Sequence, residues 1–280
     1  MTQELQYNLQ PIWSAELELY QKFVYICEKY SLRYYAAFGT ALGAIRHQGF
    51  IPWDDDLDFE MPRPDYEKFL KVAEQELPCN LMLKTWNNTP NYGLRFAEIF
   101  EKDQNIISKV RNSSHLDVKN IWIDIFPIDG LPNNTIVLFW WKIRLSLVKA
   151  MSYSSQTHKD KVSNSLKWRW LVGRFSNIFT CSPKNMSFYR IWQEKLETAF
   201  SYEQALKVGN LSSPYGKRSW FLDKNIYGEG KIVPFETTTI RVPSLYDTYL
   251  SALYRDWRQL PPQEYQKPPH LVLVNHTSLH

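Results

Sequence analysis

Four carboxylates lie within five positions of this chain, at Asp54, Asp55, Asp56 and Asp58. Carboxylates at contact distance repel one another, so a folded protein keeps them together only where positive charge lies among them. The obvious counter-charge is a divalent cation. Oxygen ligands with no Cys or His among them favour Mg²⁺ or Mn²⁺ over Zn²⁺. The cluster therefore predicts a magnesium-type site.

Alternation along an extended segment indicates which of these side chains face the cation. Asp54, Asp56 and Asp58 would project from one side, and Asp55 and Leu57 from the other. An EF-hand loop is excluded because neither the Gly at its sixth position nor the Glu at its twelfth is present. We therefore predict Asp54, Asp56 and Asp58 as metal ligands, with Asp56 and Asp58 also catalytic.

A glycine turn precedes the acidic cluster. The apolar run Tyr34 to Phe38 predicts a strand, and a short helix is expected from about Ala41 to His47. Backbone N–H groups at the start of a helix favour a phosphate, so Gly39 and Thr40 are candidates for binding the phosphates of a donor. Arg46, one helical turn further on, is a third candidate, with a packing or salt-bridge role as the alternative.

Another carboxylate, Asp124, interrupts an apolar run from Ile121 to Pro127. A buried charge needs a partner or a metal. We predict that Asp124 lies on a strand next to the acidic cluster, where it holds a second metal or takes a proton from an acceptor hydroxyl. The alternative is a structural Asp paired with an Arg. Asp129, in a Pro-Ile-Asp-Gly sequence, is predicted to be a turn residue.

At these residues the chain resembles the signature of the LicD family of phosphotransferases, which includes the fukutin-related enzymes and belongs to the nucleotidyltransferase superfamily. The residues that carry the resemblance are Gly39-Thr40, Leu42-Gly43, Arg46, Gly49-Phe50-Ile51-Pro52-Trp53, Asp54-Asp55-Asp56 and Asp58. The resemblance implies Mg²⁺-dependent transfer of a phospho-alcohol, often phosphocholine from CDP-choline, to a sugar of a surface glycan. An Asp in a context like that of Asp124 closes the family's site.

The resemblance covers roughly residues 30–130 and 225–270. Its C-terminal part rests on Phe235-Glu236, Val242-Pro243, Tyr246, Tyr249-Leu250, Tyr254, Asp256-Trp257, Leu260-Pro261-Pro262 and His270. Four of these aromatic residues could cage a quaternary ammonium by cation–π contact, with core packing as the alternative: Phe235, Tyr246, Tyr254 and Trp257.

This chain departs from the family at Glu98, where members commonly carry Lys. The departure leaves open which positively charged side chain binds the phosphates of the donor. Arg95 and Lys102 flank the strand predicted there, and a cation beside the site would neutralise a transferring phosphate. We take Arg95 as the candidate, with surface salt bridges as the alternative for both residues.

Residues 136–192 are basic and rich in aromatic side chains. They contain ten Lys or Arg residues and one acidic residue, Asp160, so the net charge of the segment is +9. Because the net charge of the whole chain is +4, the remaining residues carry −5. Basic residues beside Trp and Phe on a helix are typical of a membrane-interface element. A solvated helical insertion is the alternative. No recognised nucleic-acid-binding module accompanies the segment, which disfavours nucleic acid as a partner.

The composition, with 44% hydrophobic and 22% charged residues over 280 positions, is that of a globular protein. We expect no secretory signal, because no basic start leads into an apolar stretch. The three Cys residues are odd in number and far apart, which fits a reducing cytoplasm. The expected location is therefore the cytoplasm, at the inner face of the cell membrane.

We predict an α/β (α+β) fold, with a nucleotidyltransferase-like mixed sheet flanked by helices. Residues 1–135 would form a catalytic core, 136–195 a basic helical insertion, and 196–280 the remainder of the core. The predicted cofactor is Mg²⁺ or Mn²⁺, and the predicted partners are a CDP-choline-like donor and a glycan or lipid-linked saccharide acceptor.

Several alternatives stay open from sequence alone. The donor could carry phosphoethanolamine, glycerol phosphate or ribitol phosphate instead of phosphocholine. The same metal site could serve a nucleotidyltransferase that releases pyrophosphate. A non-catalytic, membrane-associated protein with a structural cation site is the third class.

Overall fold

In the computed structural model, the described residues are 9–89, 92, 94–109, 116–156, 183–213, 219, 221–268 and 272–273. Within these ranges the chain forms a curled mixed β-sheet flanked by helices. The predicted α+β class is therefore confirmed. The finer expectation of a nucleotidyltransferase-like sheet stays a prediction, as do the three predicted domain ranges.

The helices and strands have the following bounds. The helices are α1 Gln10–Lys29, α2 Phe38–Arg46, α3 Arg63–Glu76, α4 Thr135–Gln156, α5 Pro183–Glu197 and α6 Tyr246–Tyr254, with 3₁₀ turns at Lys224–Ile226 and Gln263–Tyr265. The strands are β1 Tyr35–Ala36, β2 Leu57–Pro62, β3 Leu81–Lys84, β4 Ala97–Lys109, β5 Leu116–Gly130, β6 Lys207–Gly209, β7 Leu222–Asp223, β8 Lys231–Phe235, β9 Thr238–Val242 and β10 Val272–Leu273.

The main sheet runs in the order β1-β2-β5-β4-β10. Its central pair, β2 and β5, is parallel, whereas β1 with β2 and β4 with β5 are antiparallel. Strand β3 pairs with β4, and β6 and β7 extend the far end of β5. Strands β8 and β9 form a separate hairpin.

Three local predictions differ from the structure. The helical spacing of Leu17, Tyr20 and Phe23 predicts a helix from about Ser14 to Lys29 with Ser14 as its N-cap. Helix α1 instead begins at Gln10, because Pro11 occupies its first turn and the Ser14 hydroxyl donates to Gln10 O instead of capping. The sequence also predicts separate strands at 94–100 and 105–110, whereas the structure has one strand, β4, with a register shift after Phe100. Gly39 and Thr40 lie inside the first turn of α2 rather than before it.

The core lies between the sheet and the helices packed on it. All six residues of β2 are buried, as expected for a strand covered on both faces. Phe23 of α1 packs its ring centroid 4.9 Å from Phe59 of β2 and 5.3 Å from Phe69 of α3. These contacts hold α1 and α3 against the strand that also carries Asp58.

A buried polar cluster ties the C-terminal part of the chain to β2. Glu60 is fully buried and accepts hydrogen bonds from the hydroxyls of Tyr227 and Tyr249, each at 3.0 Å, and from Asn210 Nδ2 at 2.8 Å. Burial raises the pKa of Glu60, and the three donors partly offset that effect. Asn210, Tyr227 and Tyr249 thus join the C-terminal part of the chain to the strand that carries Asp58.

Helices α4 and α5 belong to the predicted basic insertion, of which residues 157–182 lie outside the described part of the chain. The two helices pack together. A second, smaller hydrophobic cluster lies beside them, formed by Leu131, Trp141, Leu145 and Leu211. Within the described ranges, no helix is both long and apolar enough to cross a membrane.

Candidate active site

The strand register brings carboxylates from three strands side by side. In the parallel pairing of β2 with β5, Asp58 lies directly opposite Asp124. In the antiparallel pairing of β5 with β4, Asp124 lies directly opposite Glu98. Residues directly opposite one another project from the same face of a sheet. The expectation that a neighbouring strand delivers Asp124 to Asp58 is therefore confirmed, while the catalytic role of each stays a prediction.

The loop before β2 adds three more carboxylates. Asp54, Asp55 and Asp56 each bring a carboxylate oxygen within 4.8 Å of the others. Strict alternation would have placed Asp55 on the opposite face, but residues 52–53 form a turn and β2 begins only at Leu57. Side chains before β2 therefore need not alternate between the two faces, and the Asp55 carboxylate lies with those of Asp54 and Asp56.

The first turn of α2 positions this acidic loop and strand. Thr40 Oγ1 accepts a hydrogen bond from Asp58 N at 2.8 Å, and Ala37 N donates to Asp58 O at 2.9 Å. A Cβ atom added at Gly39 would overlap Asp54 Oδ2. Gly39 and Thr40 thus contact the carboxylate cluster directly, and phosphate binding by the same turn stays a prediction.

The electrostatics of the cluster are those of an acidic site that needs positive charge. Burial raises the pKa of Asp58 well above its ordinary value, and the charges of Asp56, Asp124, Asp54 and Glu60 raise it further. The pKa of Asp54 rises in the same way, through burial and then through its two acidic neighbours in the loop. A donor set made of carboxylate oxygens fits Mg²⁺ or Mn²⁺. Among the described residues, Asp54, Asp55 and Asp56 bring carboxylate oxygens close enough together to hold one ion; the roles of Asp54, Asp56, Asp58 and Asp124 as its ligands stay predictions.

Sequence reasoning missed Glu16, a buried residue of α1 that is 1% exposed. Burial raises its pKa, and the charges of Asp56, Asp55, Asp54 and Asp124 raise it further. Helix α1 contacts the acidic loop one turn earlier, where Trp13 Nε1 donates to Asp54 O at 2.8 Å. A sequence signal did exist. Glu16 lies four residues from both Ile12 and Tyr20, on the face of α1 that is buried.

The two predicted phosphate-binding arginines make other contacts. Arg46 Nη1 donates to Trp257 O at 3.0 Å and Gln259 O at 3.3 Å, which holds the chain that follows α6. Arg95 Nη2 lies 3.3 Å from Glu197 Oε2. The Arg95 guanidinium also lies 5.0 Å from the ring centroid of Trp86. Both phosphate-binding roles stay predictions.

Asp129 is not a turn residue, and that prediction is wrong. It lies in β5 and is 1% exposed. Its carboxylate accepts two hydrogen bonds from Arg63, at 2.6 Å from Nε and 2.8 Å from Nη2. A bidentate Arg pair allows the charge to be buried, so the local Pro-Ile-Asp-Gly signal was overridden by a partner distant in sequence.

The aromatic residues considered for a quaternary-ammonium site pack in the core or against it. Phe235 is fully buried, and its ring centroid lies 5.1 Å from that of Phe50. Tyr246 and Tyr254 pack against the core, and Trp257 Nε1 donates to Asp247 at 3.1 Å. These contacts favour the packing alternative. His270 lies outside the described residues.

A comparison with known protein families gives a match over the residues that form the loop, β2 and β5. Residues 31–153 match the family described as LicD/FKTN/FKRP, nucleotidyltransferase domain. Every carboxylate of the loop, of β2 and of β5 named above lies inside the matched residues, whereas Glu16 precedes them.

Three curated proteins are similar in sequence to this chain. Over 261 residues the chain is 28% identical to the lipopolysaccharide cholinephosphotransferase LicD of Haemophilus influenzae strain Rd, which covers 91% of this chain and 93% of that protein. It is 45% identical over 80 residues to an uncharacterised Rickettsia typhi protein, 27% of this chain and 26% of that protein. An uncharacterised Rickettsia prowazekii protein is 51% identical over 47 residues, 17% of this chain and 18% of that protein.

Replacement of Gly39 by Ala tests the link between α2 and the acidic loop. The added methyl group must displace the Asp54 carboxylate, so we expect Mn²⁺ affinity to fall by roughly tenfold. Ala favours a helix over Gly by about 1 kcal/mol, so the displaced side chain, rather than lost helix stability, would account for the effect. Calorimetric titration with Mn²⁺, together with thermal unfolding, measures both quantities.

Gly43→Ala is the matched contrast within the same helix. Its Cβ would lie 2.5 Å from Gly49 O and 3.2 Å from Ile51 N, which are backbone atoms. That variant should lose thermal stability. Wild-type Mn²⁺ affinity in Gly39→Ala would show that the close approach to Asp54 has no bearing on cation binding.

Proposed function

We propose that this protein is a divalent-cation-dependent phosphotransferase. It would transfer phosphocholine, or a related phospho-alcohol, from a CDP-activated donor to a hydroxyl of a cell-surface glycan. The observation that carries the proposal is the pairing of Asp58 with Asp124 beside the acidic loop, within a LicD-family domain. The Haemophilus influenzae relative is named a lipopolysaccharide cholinephosphotransferase, which supports the alcohol and the class of acceptor.

In this proposal the residues of the chain bind the cation, position the donor and the acceptor, and accept the proton of the acceptor hydroxyl. Asp54, Asp56, Asp58 and Asp124 would hold the cation, which when bound would supply positive charge beside the transferring phosphate. The acceptor oxygen forms a bond to the phosphorus that carries the alcohol, and the bond to the CMP oxygen breaks with its electron pair leaving on CMP. A carboxylate of the cluster, for which we propose Asp124, takes the hydroxyl proton.

The elements around the cluster support the geometry that this reaction needs. Phosphoryl transfer depends mainly on positioning and electrostatic stabilisation. Thr40 fixes the backbone of Asp58. Trp13 Nε1 donates to Asp54 O at 2.8 Å and ties the acidic loop to α1. We propose that the first turn of α2, with Gly39 and Thr40, faces the donor phosphates.

A second candidate function uses the same site. The family description names a nucleotidyltransferase domain, and a nucleotidyl transfer would release pyrophosphate instead of CMP. The two reactions differ in donor and in the phosphorus attacked: a nucleoside triphosphate attacked at its α-phosphorus releases pyrophosphate, whereas a CDP-alcohol attacked at the phosphorus that bears the alcohol releases CMP. The relative's name favours phosphocholine transfer, which we therefore place first.

We also propose a peripheral membrane contact for helices α4 and α5. Large apolar side chains on these helices are exposed: Ile136 by 69%, Phe139 by 57%, Trp140 by 58%, Phe188 by 60% and Trp192 by 42%. Exposed aromatic residues on a basic segment suit an interface with anionic headgroups. The protein would then lie at the inner face of the cell membrane, near a lipid-linked acceptor.

The predicted division of the chain is retained as part of the proposal. Residues 1–135 and 196–280 would form one catalytic core, which is supported by the pairing of β6 with β5 and by the contacts of Tyr227 and Tyr249 with Glu60. Residues 136–195 would form the insertion, whose Trp141 and Leu145 pack with Leu131 and Leu211 in a hydrophobic cluster distinct from the main core.

Replacement of Asp56 by Asn tests the phosphotransferase proposal. In ³¹P NMR with Mg²⁺, CDP-choline and purified lipopolysaccharide, the wild-type protein should release CMP, and EDTA should stop the reaction. Asp56→Asn removes one negative ligand from the cation site, so turnover should fall by roughly 100-fold or more with an unchanged circular dichroism spectrum.

Asp223→Asn is the matched control, because Asp223 is an exposed residue of β7. Its turnover should equal that of the wild type. CDP-ethanolamine and CDP-glycerol in parallel samples identify the alcohol. Wild-type turnover in Asp56→Asn would contradict the proposal. A parallel sample with CTP as donor tests the second reaction: pyrophosphate released from CTP, with no CMP released from any CDP-alcohol, would favour nucleotidyl transfer.

The membrane proposal is tested by flotation with phosphatidylglycerol-containing vesicles. The double variant Phe139→Ser, Trp140→Ser removes two exposed rings, and its vesicle-bound fraction should fall several-fold. Binding by the wild type should also weaken at 1 M salt, because screening shortens the reach of the basic residues. Tyr265→Ser, at a ring that is 62% exposed, is the control. Equal flotation of the double variant and the wild type would refute the contact.

A further inference from the structure

Glu16 occupies a core position that an apolar residue would ordinarily fill. It lies on the buried face of α1 with Ile12, Leu19 and Tyr20, and it is 1% exposed. Carboxylates are rarely buried so completely unless they are paired. Its burial therefore calls for a compensating group.

Two other buried glutamates show how this protein ordinarily compensates such a charge. Glu60 accepts three hydrogen bonds from Tyr227, Tyr249 and Asn210. Glu197 is 1% exposed and lies 3.3 Å from Arg95 and 3.6 Å from Lys149. Burial alone would raise the pKa of Glu197, but these two cations outweigh it and lower the pKa.

The surroundings of Glu16 are of the opposite kind. Its Oε2 atom is buried and has no hydrogen-bond partner among the residues that the structure describes. The charges that act on it most strongly are carboxylates, namely Asp56, Asp55, Asp54 and Asp124. A buried carboxylate without a donor is costly, so the ionised form of Glu16 calls for positive charge that no hydrogen-bond partner among the described residues supplies to Oε2.

The geometry of α1 directs Glu16 towards the acidic loop. Trp13, one helical turn earlier on the same side of α1, donates its indole N–H to Asp54 O at 2.8 Å. Residues three apart in a helix are neighbours on one face. The helix is thus anchored to the loop by Trp13, and Glu16 lies next to that anchor.

We propose that Glu16 is a further carboxylate of the cation site, with Oε2 binding the ion directly or through one water molecule. The inference rests on the proposed function, because it requires the cation. It assigns a role to a residue that precedes the matched family domain at 31–153. The complete site would then combine four elements: α1, the loop at 54–56, β2 and β5.

Mn²⁺ binding, measured by electron paramagnetic resonance without donor or acceptor, tests this inference apart from activity. Glu16→Gln keeps the size of the side chain and removes its charge, and we expect Mn²⁺ affinity to fall by roughly 10- to 100-fold. Without metal, Glu16→Gln should melt at a higher temperature than the wild type, because one buried charge is removed from a group of like charges. Its gain in melting temperature on addition of Mn²⁺ should be smaller.

Glu18→Gln is the matched control, since Glu18 is exposed on the same helix, and it should bind Mn²⁺ as the wild type does. Glu16→Asp keeps the charge but shortens the side chain by one methylene group, and it should also bind Mn²⁺ more weakly. Wild-type affinity in both Glu16 variants would overturn the inference, as would a lower melting temperature without metal combined with unchanged affinity.

Asp56→Asn in the same titration separates failure of this inference from failure of the proposed function. If Asp56→Asn loses Mn²⁺ binding while the Glu16 variants keep it, the cation site stands and only the role of Glu16 fails. If the wild-type protein binds no Mn²⁺, both the cation-dependent function and the role of Glu16 are contradicted.

Discussion

The parallel pairing of β2 with β5 is the constraint on which the candidate site depends. It sets Asp58 beside Asp124, and a slip of one residue would turn one of them to the opposite face of the sheet. Two sets of contacts hold β2 in place. Thr40 holds the backbone of Asp58 at the start of β2, and two tyrosines from the C-terminal part of the chain hold Glu60 two residues later.

This arrangement costs free energy through repulsion between the carboxylates. The protein has buried acids elsewhere, but it surrounds them with donors or cations, as at Glu60, Glu197 and Asp129. At the cluster, carboxylates lie beside carboxylates, and the pKa values of Asp54, Asp58 and Glu16 rise together. Local conflict of this sort is typical of functional sites, where stability is given up for chemistry. A bound divalent cation would resolve it.

Much of the site could be predicted because its signals are local. The spacing of Asp54 to Asp58 and the single acid in an apolar run at Asp124 each mark a strand end or a buried strand. Their adjacency is predicted from the buried charge at Asp124 and supported by the family resemblance, although the strand pairing joins residues 66 apart in the chain. The signal at Glu16 is weaker, because one acid in line with the apolar residues Ile12 and Tyr20 does not show which group it meets. Asp129 was misassigned because its partner, Arg63, is distant in sequence.

The central claim is that these carboxylates together hold a divalent cation, and anomalous diffraction from a Mn²⁺-soaked crystal tests it most directly. The account predicts a strong anomalous peak at ligand distance, about 2 Å, from carboxylate oxygens of both Asp58 and Asp124, with the 54–56 loop completing the shell. The account would be contradicted if no anomalous peak lay between Asp58 and Asp124, whether or not Mn²⁺ were bound elsewhere in the crystal.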